Sequence, residues 1–240
     1  MKIHPEKRVL EGPHSRWEEL IFVFKVMSEF IRGFRALHFV GPCVTVFGSA
    51  RIPEGHEYYK LTEEVGSKLV DLGFTVMSGG GGGLMEAANK GAKLDGGRSV
   101  ACNIMLPKEQ VHNQYLDSWI TLRYFFVRKV LLFKYSYAFI AMPGGVGTLD
   151  ELFEAITLIQ TKKIERFPVV LMGVEYWKSI GYLFDSMVGE GTISKEDKDL
   201  LLITDSVEEV MQHLKEHALN KFIKQTNVTP KPSIWLNEKL

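Results

Sequence analysis

From residue 41 onward, short β-rich runs alternate with stretches whose apolar positions recur every three or four residues. The runs predict strands over residues 44–48, 74–78, 99–104, 138–142 and 169–172, with weaker ones over 120–122 and 201–204. Between them the spacing predicts helices over 58–72, 84–94, 124–135, 149–161, 176–188 and 207–217. Strands that alternate with helices of this length argue for βαβ units. The expected fold class is α/β, a doubly wound parallel sheet with helices on both faces, plus an added N-terminal helix.

That added helix is predicted from Ser15 to Leu37, after a polar lead-in with Pro5, Gly12 and Pro13. Trp17, Leu20, Ile21, Phe24, Met27, Ile31 and Phe34 recur at helical spacing, and Val23, Val26 and Phe30 add a second apolar flank. This is wider than a helix packed on one side requires. The first expectation is a deeply covered helix; a subunit interface is the alternative. The chain thus divides into a lead-in and amphipathic helix (1–40), one α/β domain (41–220) and an extended tail (221–240) with Pro230, Pro232 and Trp235.

Composition narrows the function. The 29 Lys and Arg residues match the 29 Asp and Glu, so no global field draws the chain to nucleic acid or to a membrane. Any anion must be held locally. Cys43 and Cys102 lie in or beside predicted strands without metal-ligand spacing, which fits a reduced compartment. The seven histidines are scattered, and no metal site is expected. The opening MKIHPEKRVLEGPHSRW lacks the apolar region of a signal peptide, and no stretch reaches the length of a membrane span. A cytoplasmic protein is expected.

Two glycine loops carry the candidate chemistry. Gly79–Gly83 are five consecutive glycines between the strand FTVMS and the helix LMEAANKGA. Their amides, with the helix N-terminus behind them, would suit a phosphate. The run does not spell the dinucleotide G-x-G-x-x-G, because the third position falls on Leu84 or Met85, and no Gly-Lys-Ser/Thr follows as a P-loop requires. A tight turn without ligand is the plain alternative. The second loop is PGGVGTLDE, Pro143–Glu151, after the apolar run AFIAM. Thr148 with Glu151 three residues on has capping-box spacing, so Glu151 has a structural reading beside a chemical one. Loops after two strands place two helix N-termini at one sheet edge, in the crevice where α/β proteins bind ligands. Phe125 and Phe126 are read first as core, with a flank for a base as the alternative.

PGGVGTLDE fits the PGGxGTxxE signature of the LOG-type nucleoside-monophosphate phosphoribohydrolases, proteins often labelled "possible lysine decarboxylase". Arg128-Lys129 fits the Arg-Lys pair one helix before that signature. The glycine run with Leu84-Met85 resembles the family's GGGxxGLM, and FGSAR (Phe47–Arg51) its first-strand loop. The resemblance covers roughly residues 44–187 and implies a Rossmann-like fold. It further implies hydrolysis of the N-glycosidic bond of a nucleoside 5′-monophosphate, AMP or cytokinin-type, to free base and ribose 5-phosphate. Carried onto this chain it makes Arg128 and Glu151 the catalytic pair. Glu109, Lys129, Gly144, Gly145, Val146, Gly147, Thr148, Leu149, Asp150 and Thr157 become substrate-binding residues, joined by Ser49, Gly80, Gly81 and Gly82. No cofactor is implied, and the family's habit is a homodimer or larger homo-oligomer. The departures fall near the expected base pocket: Phe125-Phe126 replace the family's Met-His, and Ser78 stands where a Tyr often precedes the glycines. The alternative function is a non-catalytic binder of a nucleotide or phosphorylated cofactor, of the molybdenum-cofactor-carrier type. Amino-acid decarboxylation is disfavoured, because nothing here resembles a pyridoxal-phosphate lysine site.

Overall fold

The computed structural model describes residue 6, residues 9–106 and residues 111–219; Glu109 and the tail over 221–240 lie outside them. After helix α1 (Arg16–Leu37) the chain alternates: β1 (Cys43–Phe47), α2 (Glu57–Asp71), β2 (Thr75–Ser78), α3 (Leu84–Leu94), β3 (Ser99–Ile104) and β4 (Ser118–Leu122). It continues with α4 (Phe125–Tyr135), β5 (Ser136–Ala141), α5 (Val146–Gln160), β6 (Val169–Met172), α6 (Val174–Gly189), the short α7 (Lys195–Lys198), β7 (Leu201–Thr204) and α8 (Val207–Leu214). One turn of π-helix, Lys215–Leu219, follows α8.

All seven strands join one sheet in the order β4-β3-β2-β1-β5-β6-β7. Every pairing is parallel. From β1 the chain steps outward to β4 on one side, then returns to lay β5 against the other flank of β1. The winding therefore reverses between β1 and β5, and their carboxyl ends flank the crevice where such sheets bind ligands. Strands β5 and β6 read as unbroken apolar runs because both their faces are covered. Ala138 to Ala141 and Val169 to Met172 are buried without exception.

Two apolar layers sandwich the sheet. On one face Leu37, Val127, Leu131, Leu152, Ile156, Trp177 and Phe184 bring in α1, α4, α5 and α6. On the other, Val65, Leu69, Leu84, Ala88, Val210 and Leu214 bring in α2, α3 and α8. The doubly wound architecture expected from the alternation is the one observed.

The N-terminal helix differs from its first expectation. Ser15 caps α1 by a reciprocal capping box with Glu18, and the inner side packs through Phe22, Val26 and Phe30. At Gly33 a Cβ would stand 2.3 Å from Leu131 Cδ1, so α1 lies close on α4. The stripe of Trp17, Leu20, Ile21, Phe24, Met27, Ile31 and Phe34, however, faces outward, with Trp17 69% and Phe24 56% exposed. Among the described residues only the second flank of α1 is covered, because a helix lying on one face of a sheet can bury only one side.

Candidate active site

The two strands that meet at the reversal end in loops that are bonded to each other. Met142 N–H donates to Phe47 O (2.9 Å) and Ser49 N–H to Pro143 O (3.0 Å). Leu84 N–H donates to Ser49 O (2.9 Å), which ties the start of α3 to the same junction. Above it opens a cavity of about 780 Å³. Its wall takes in residues 47–52, Gly79, Met85, Asn103, Ile104, Leu106, Phe125, Arg128, Pro143 to Thr148, Asp150, Glu151 and Tyr176.

Helix α5 begins three residues earlier than the sequence pattern suggests. Gly145 is its N-cap, extended at φ −87°, ψ −159°, and no side chain caps it. Thr148 is consequently not the cap but sits inside the first turn, buried, with its N–H bonded to Gly145 O at 3.0 Å. The capping box expected between Thr148 and Glu151 is absent because a glycine can adopt the cap geometry upstream. The first-turn amides, which lack carbonyl partners within the helix, open into the cavity at exposed Gly145, Val146 and Gly147. This is anion-binding geometry. A Cβ at Gly144 would stand 2.1 Å from Thr148 Oγ1, so the loop can fold against the turn only with glycine there.

Glu151, freed from capping, points one turn deeper into the wall. It is 3% exposed, and its Oε2 is buried with no hydrogen-bond partner among the described residues. Burial pushes its carboxyl up to about 7, against the opposing pull of the Arg128 and Lys129 charges. A lone acid held this way can exchange a proton near neutral pH.

Arg128 lies on α4, one turn from its start. Its Nε donates to Cys102 O, two residues before the end of β3 (3.1 Å), which anchors the guanidinium near the sheet edge. Gly79 makes room for it, since a Cβ there would come within 2.9 Å of Arg128 Nη2 and 2.7 Å of Met85 Sδ. Both members of the expected pair, Arg128 and Glu151, thus line one cavity.

Other expected residues lie elsewhere. Gly80 is buried, with φ +75°, and a Cβ there would meet Ala101 Cβ at 2.6 Å. Its N–H donates to Ser78 Oγ (2.9 Å), and Ser78 Oγ in turn donates to Asn89 Oδ1 (2.6 Å). Asn113 Nδ2 donates to Gly81 O (3.1 Å) and to Asn89 Oδ1 (3.0 Å), while Asn113 N–H bonds Gly80 O (3.0 Å). The glycine run is wired into this polar network, and Gly80, Gly81 and Gly82 are not in the cavity wall; Gly79 alone of the five is. Lys129 points away from the cavity and pairs with Asp150 and Glu154, both at 2.8 Å. Leu149 and Thr157 line a separate groove beside Lys129. Ser49, Gly144, Gly145, Val146, Gly147, Thr148 and Asp150 are in the cavity wall as expected, and Glu109 lies outside the described residues.

The structure adds residues the sequence did not single out. Arg51, in the loop after β1, brings a second arginine to the cavity. Asn103, one residue before the end of β3, lines the same cavity, its Oδ1 accepting from Ile104 N–H (2.7 Å). Tyr176, from the first turn of α6, donates its hydroxyl to Gly144 O at 2.6 Å. The one signal for these three was topological: each follows or ends a strand at the carboxyl edge of the sheet. Phe125 is 38% exposed and lines the cavity, whereas Phe126, 43% exposed, packs against Phe22 and Tyr124. Neither is core, contrary to the first expectation, because α4 begins at the sheet edge rather than beneath it. Among the described residues no cluster of three His, Cys, Asp or Glu side chains could hold a metal ion, and no helix is long and apolar enough to cross a membrane.

Fold and site define a class: a doubly wound α/β protein with a helix-capped glycine loop and a buried acid at the reversal of its sheet. The family model described as "Possible lysine decarboxylase" matches residues 85–214. A rice protein named "Probable cytokinin riboside 5′-monophosphate phosphoribohydrolase LOG4" is 34% identical over 201 residues, 81% of this chain and 84% of that one. Cytokinin riboside 5′-monophosphate phosphoribohydrolase LOG3 of Arabidopsis thaliana is 32% identical over 180 residues, 73% of this chain and 82% of that protein. Among solved structures, the molybdenum cofactor carrier protein of Chlamydomonas reinhardtii shares the fold at a TM-score of 0.56 and 23% identity, over 75% of this chain and 99% of that one. The chain belongs to the LOG, or "possible lysine decarboxylase", family.

Proposed function

We propose that this chain is a phosphoribohydrolase that uses water to cut the base from a nucleoside 5′-monophosphate. The observation that carries this reading is the buried Glu151 carboxyl, with an unpartnered oxygen, in the same wall as the open first turn of α5. The phosphate sits on the amides of Gly145, Val146 and Gly147, helped by the helix dipole. Arg128 and Arg51 supply fixed positive charge for phosphate or ribose oxygens. Lys129 is committed to Asp150 and Glu154, so its part is to hold α4 against α5 rather than to touch the phosphate.

As the bond from C1′ to the base nitrogen lengthens, positive charge builds on the sugar, as in glycoside hydrolysis. The Glu151 carboxylate stabilises that charge and takes a proton from the attacking water. The water oxygen bonds to C1′, the electron pair of the broken bond goes to the base, and the base leaves with a proton from solvent or from Glu151. Phe125 flanks the base. No cofactor takes part in these steps.

The test is incubation of the full chain with a panel of nucleoside 5′-monophosphates, including AMP and N6-substituted adenine nucleotides, followed by chromatography for released base. Free base and ribose 5-phosphate from at least one nucleotide, with the corresponding unphosphorylated nucleosides left intact, supports the reading. Tight binding of nucleotides without any cleavage would make the chain a carrier.

A further inference from the structure

We propose, on the nucleotide reading above, that Asn103 recognises the base: its side-chain NH2 donates a hydrogen bond to N3 or N7 of a purine in the cavity. Asparagine is disfavoured in strands. It stands nonetheless in β3, every residue of which is buried, and is itself 5% exposed.

The sheet accounts for one half of this amide. Met105 N–H donates to Leu122 O, so the odd-numbered peptide groups of β3 face β4. The even-numbered ones face β2, where Val76 N–H donates to Arg98 O. Strand β2 stops at Ser78, opposite Ala101. The next rung of a parallel ladder would join Gly80 N–H to Cys102 O and Ile104 N–H to Gly80 O. Gly80 is committed elsewhere: its N–H donates to Ser78 Oγ (2.9 Å) and its O accepts from Asn113 N–H (3.0 Å). Two side chains of the cavity wall serve β3 instead. Arg128 Nε takes Cys102 O (3.1 Å), and Asn103 Oδ1 takes Ile104 N–H (2.7 Å).

That second bond fixes which way the amide lies. Only the carbonyl end of an Asn side chain accepts, so the NH2 end points the other way. Asn103 Nδ2 has no acceptor among the described residues. Gly80, across the gap, has no side chain to cover it; a Cβ there would stand 3.8 Å from Nδ2. A donor held in place before the ligand arrives directs binding at little ordering cost.

Asn103 shares the wall with apolar Ile104, Leu106, Met85 and Phe125. One fixed donor in an apolar wall suits a flat base whose ring nitrogens only accept. Sugar hydroxyls need acceptors as well. N3 and N7 also share the electron pair of the broken bond as the base departs, so this hydrogen bond strengthens in the transition state.

The test is calorimetric titration of Glu151→Gln chains, with and without Asn103→Ala, against AMP, 3-deaza-AMP, 7-deaza-AMP and 2′-deoxy-AMP. Asn103→Ala is expected to weaken AMP and 2′-deoxy-AMP about five- to tenfold, the worth of one hydrogen bond. One deaza nucleotide, lacking the acceptor, should be weakened less than about twofold. Asn103→Asp keeps the acceptor for Ile104 N–H and serves if Asn103→Ala does not fold. It should weaken that same deaza nucleotide least, by about fivefold less than AMP. Equal weakening of all four nucleotides overturns the proposal, and so does a pattern in which 2′-deoxy-AMP is the one spared. If the wild type cleaves AMP and no deaza nucleotide is spared, the base contact alone fails. If a deaza nucleotide is spared in a chain that cleaves none, the contact stands and the phosphoribohydrolase reading fails. A chain that binds no nucleotide overturns both.

Discussion

The hydroxyl of Tyr176 donates to the carbonyl oxygen of Gly144 over 2.6 Å, which fixes the loop after β5 from the first turn of α6. Gly144 leads directly into the N-cap of α5, so this bond helps set the direction of the amides that face the cavity. Tyr176→Phe removes one hydrogen bond worth about 1 kcal/mol without emptying the space. The expected result is a rise in KM for nucleotide of roughly fivefold, with kcat less affected and a small drop in melting temperature. Steady-state kinetics on the two proteins checks it; an unchanged KM would mean that the loop holds its shape unaided.

The position of Glu151 makes stability depend on pH in an unusual sense. Its carboxyl is raised to about 7 in the folded chain, above its value of 4.5 in an unfolded one. Between those values the folded state binds more protons, so stability falls as pH rises from about 4.5 to about 7 and then levels. The penalty above pH 7 is on the order of 3 kcal/mol. Glu151→Gln should therefore melt higher than the wild type, with a gap that is small at pH 5 and widens towards pH 8. Thermal unfolding across that range decides it, and a gap that stays constant counts against the raised value.

The same proton governs rate. A general base must be ionised, so kcat/KM for base release should climb with pH and bend near 7. A profile that falls through that region would instead assign the protonated form of Glu151 to the rate-limiting step.

Two glycines separate scaffold from site. Gly80→Ala puts a Cβ 2.6 Å from Ala101 Cβ at a φ of +75°, and should destabilise the fold by about 2 kcal/mol or more. Gly145→Ala meets nothing within 4 Å and has negative φ. It should leave the melting temperature within a degree or two while weakening nucleotide binding, because the new methyl stands where the phosphate is expected. The reverse pattern would return the ligand to the five-glycine run.

Much of the fold was legible in the sequence for identifiable reasons. Ser99–Ile104, Val169–Met172, Leu201–Thr204 and Leu84–Leu94 were predicted with the bounds observed, because apolar runs or helical spacing end there at Gly, Pro or polar turns. Arg128 and Glu151, 23 residues apart in sequence, line the same cavity. What escaped needed three dimensions. The partners of Gly80 and Gly81 are Ser78 and Asn113, and a bond from residue 113 to residue 81 leaves no local signature. Lys129 directly follows Arg128, yet the turn of one helical residue swings it from the cavity to Asp150 and Glu154. Tyr176 reaches the site only because β6 is the neighbour of β5. The outward stripe of α1 carried the spacing of a buried face, and periodicity alone does not say whether the same chain or another covers it.

The central claim rests on Glu151 as the group that acts on the water and the sugar. Its most direct test is Glu151→Gln, with base release and nucleotide binding measured on the same preparation. The account predicts that kcat falls by about 10²- to 10⁴-fold while the dissociation constant for the nucleotide changes less than about threefold. Cleavage at close to the wild-type rate would contradict it.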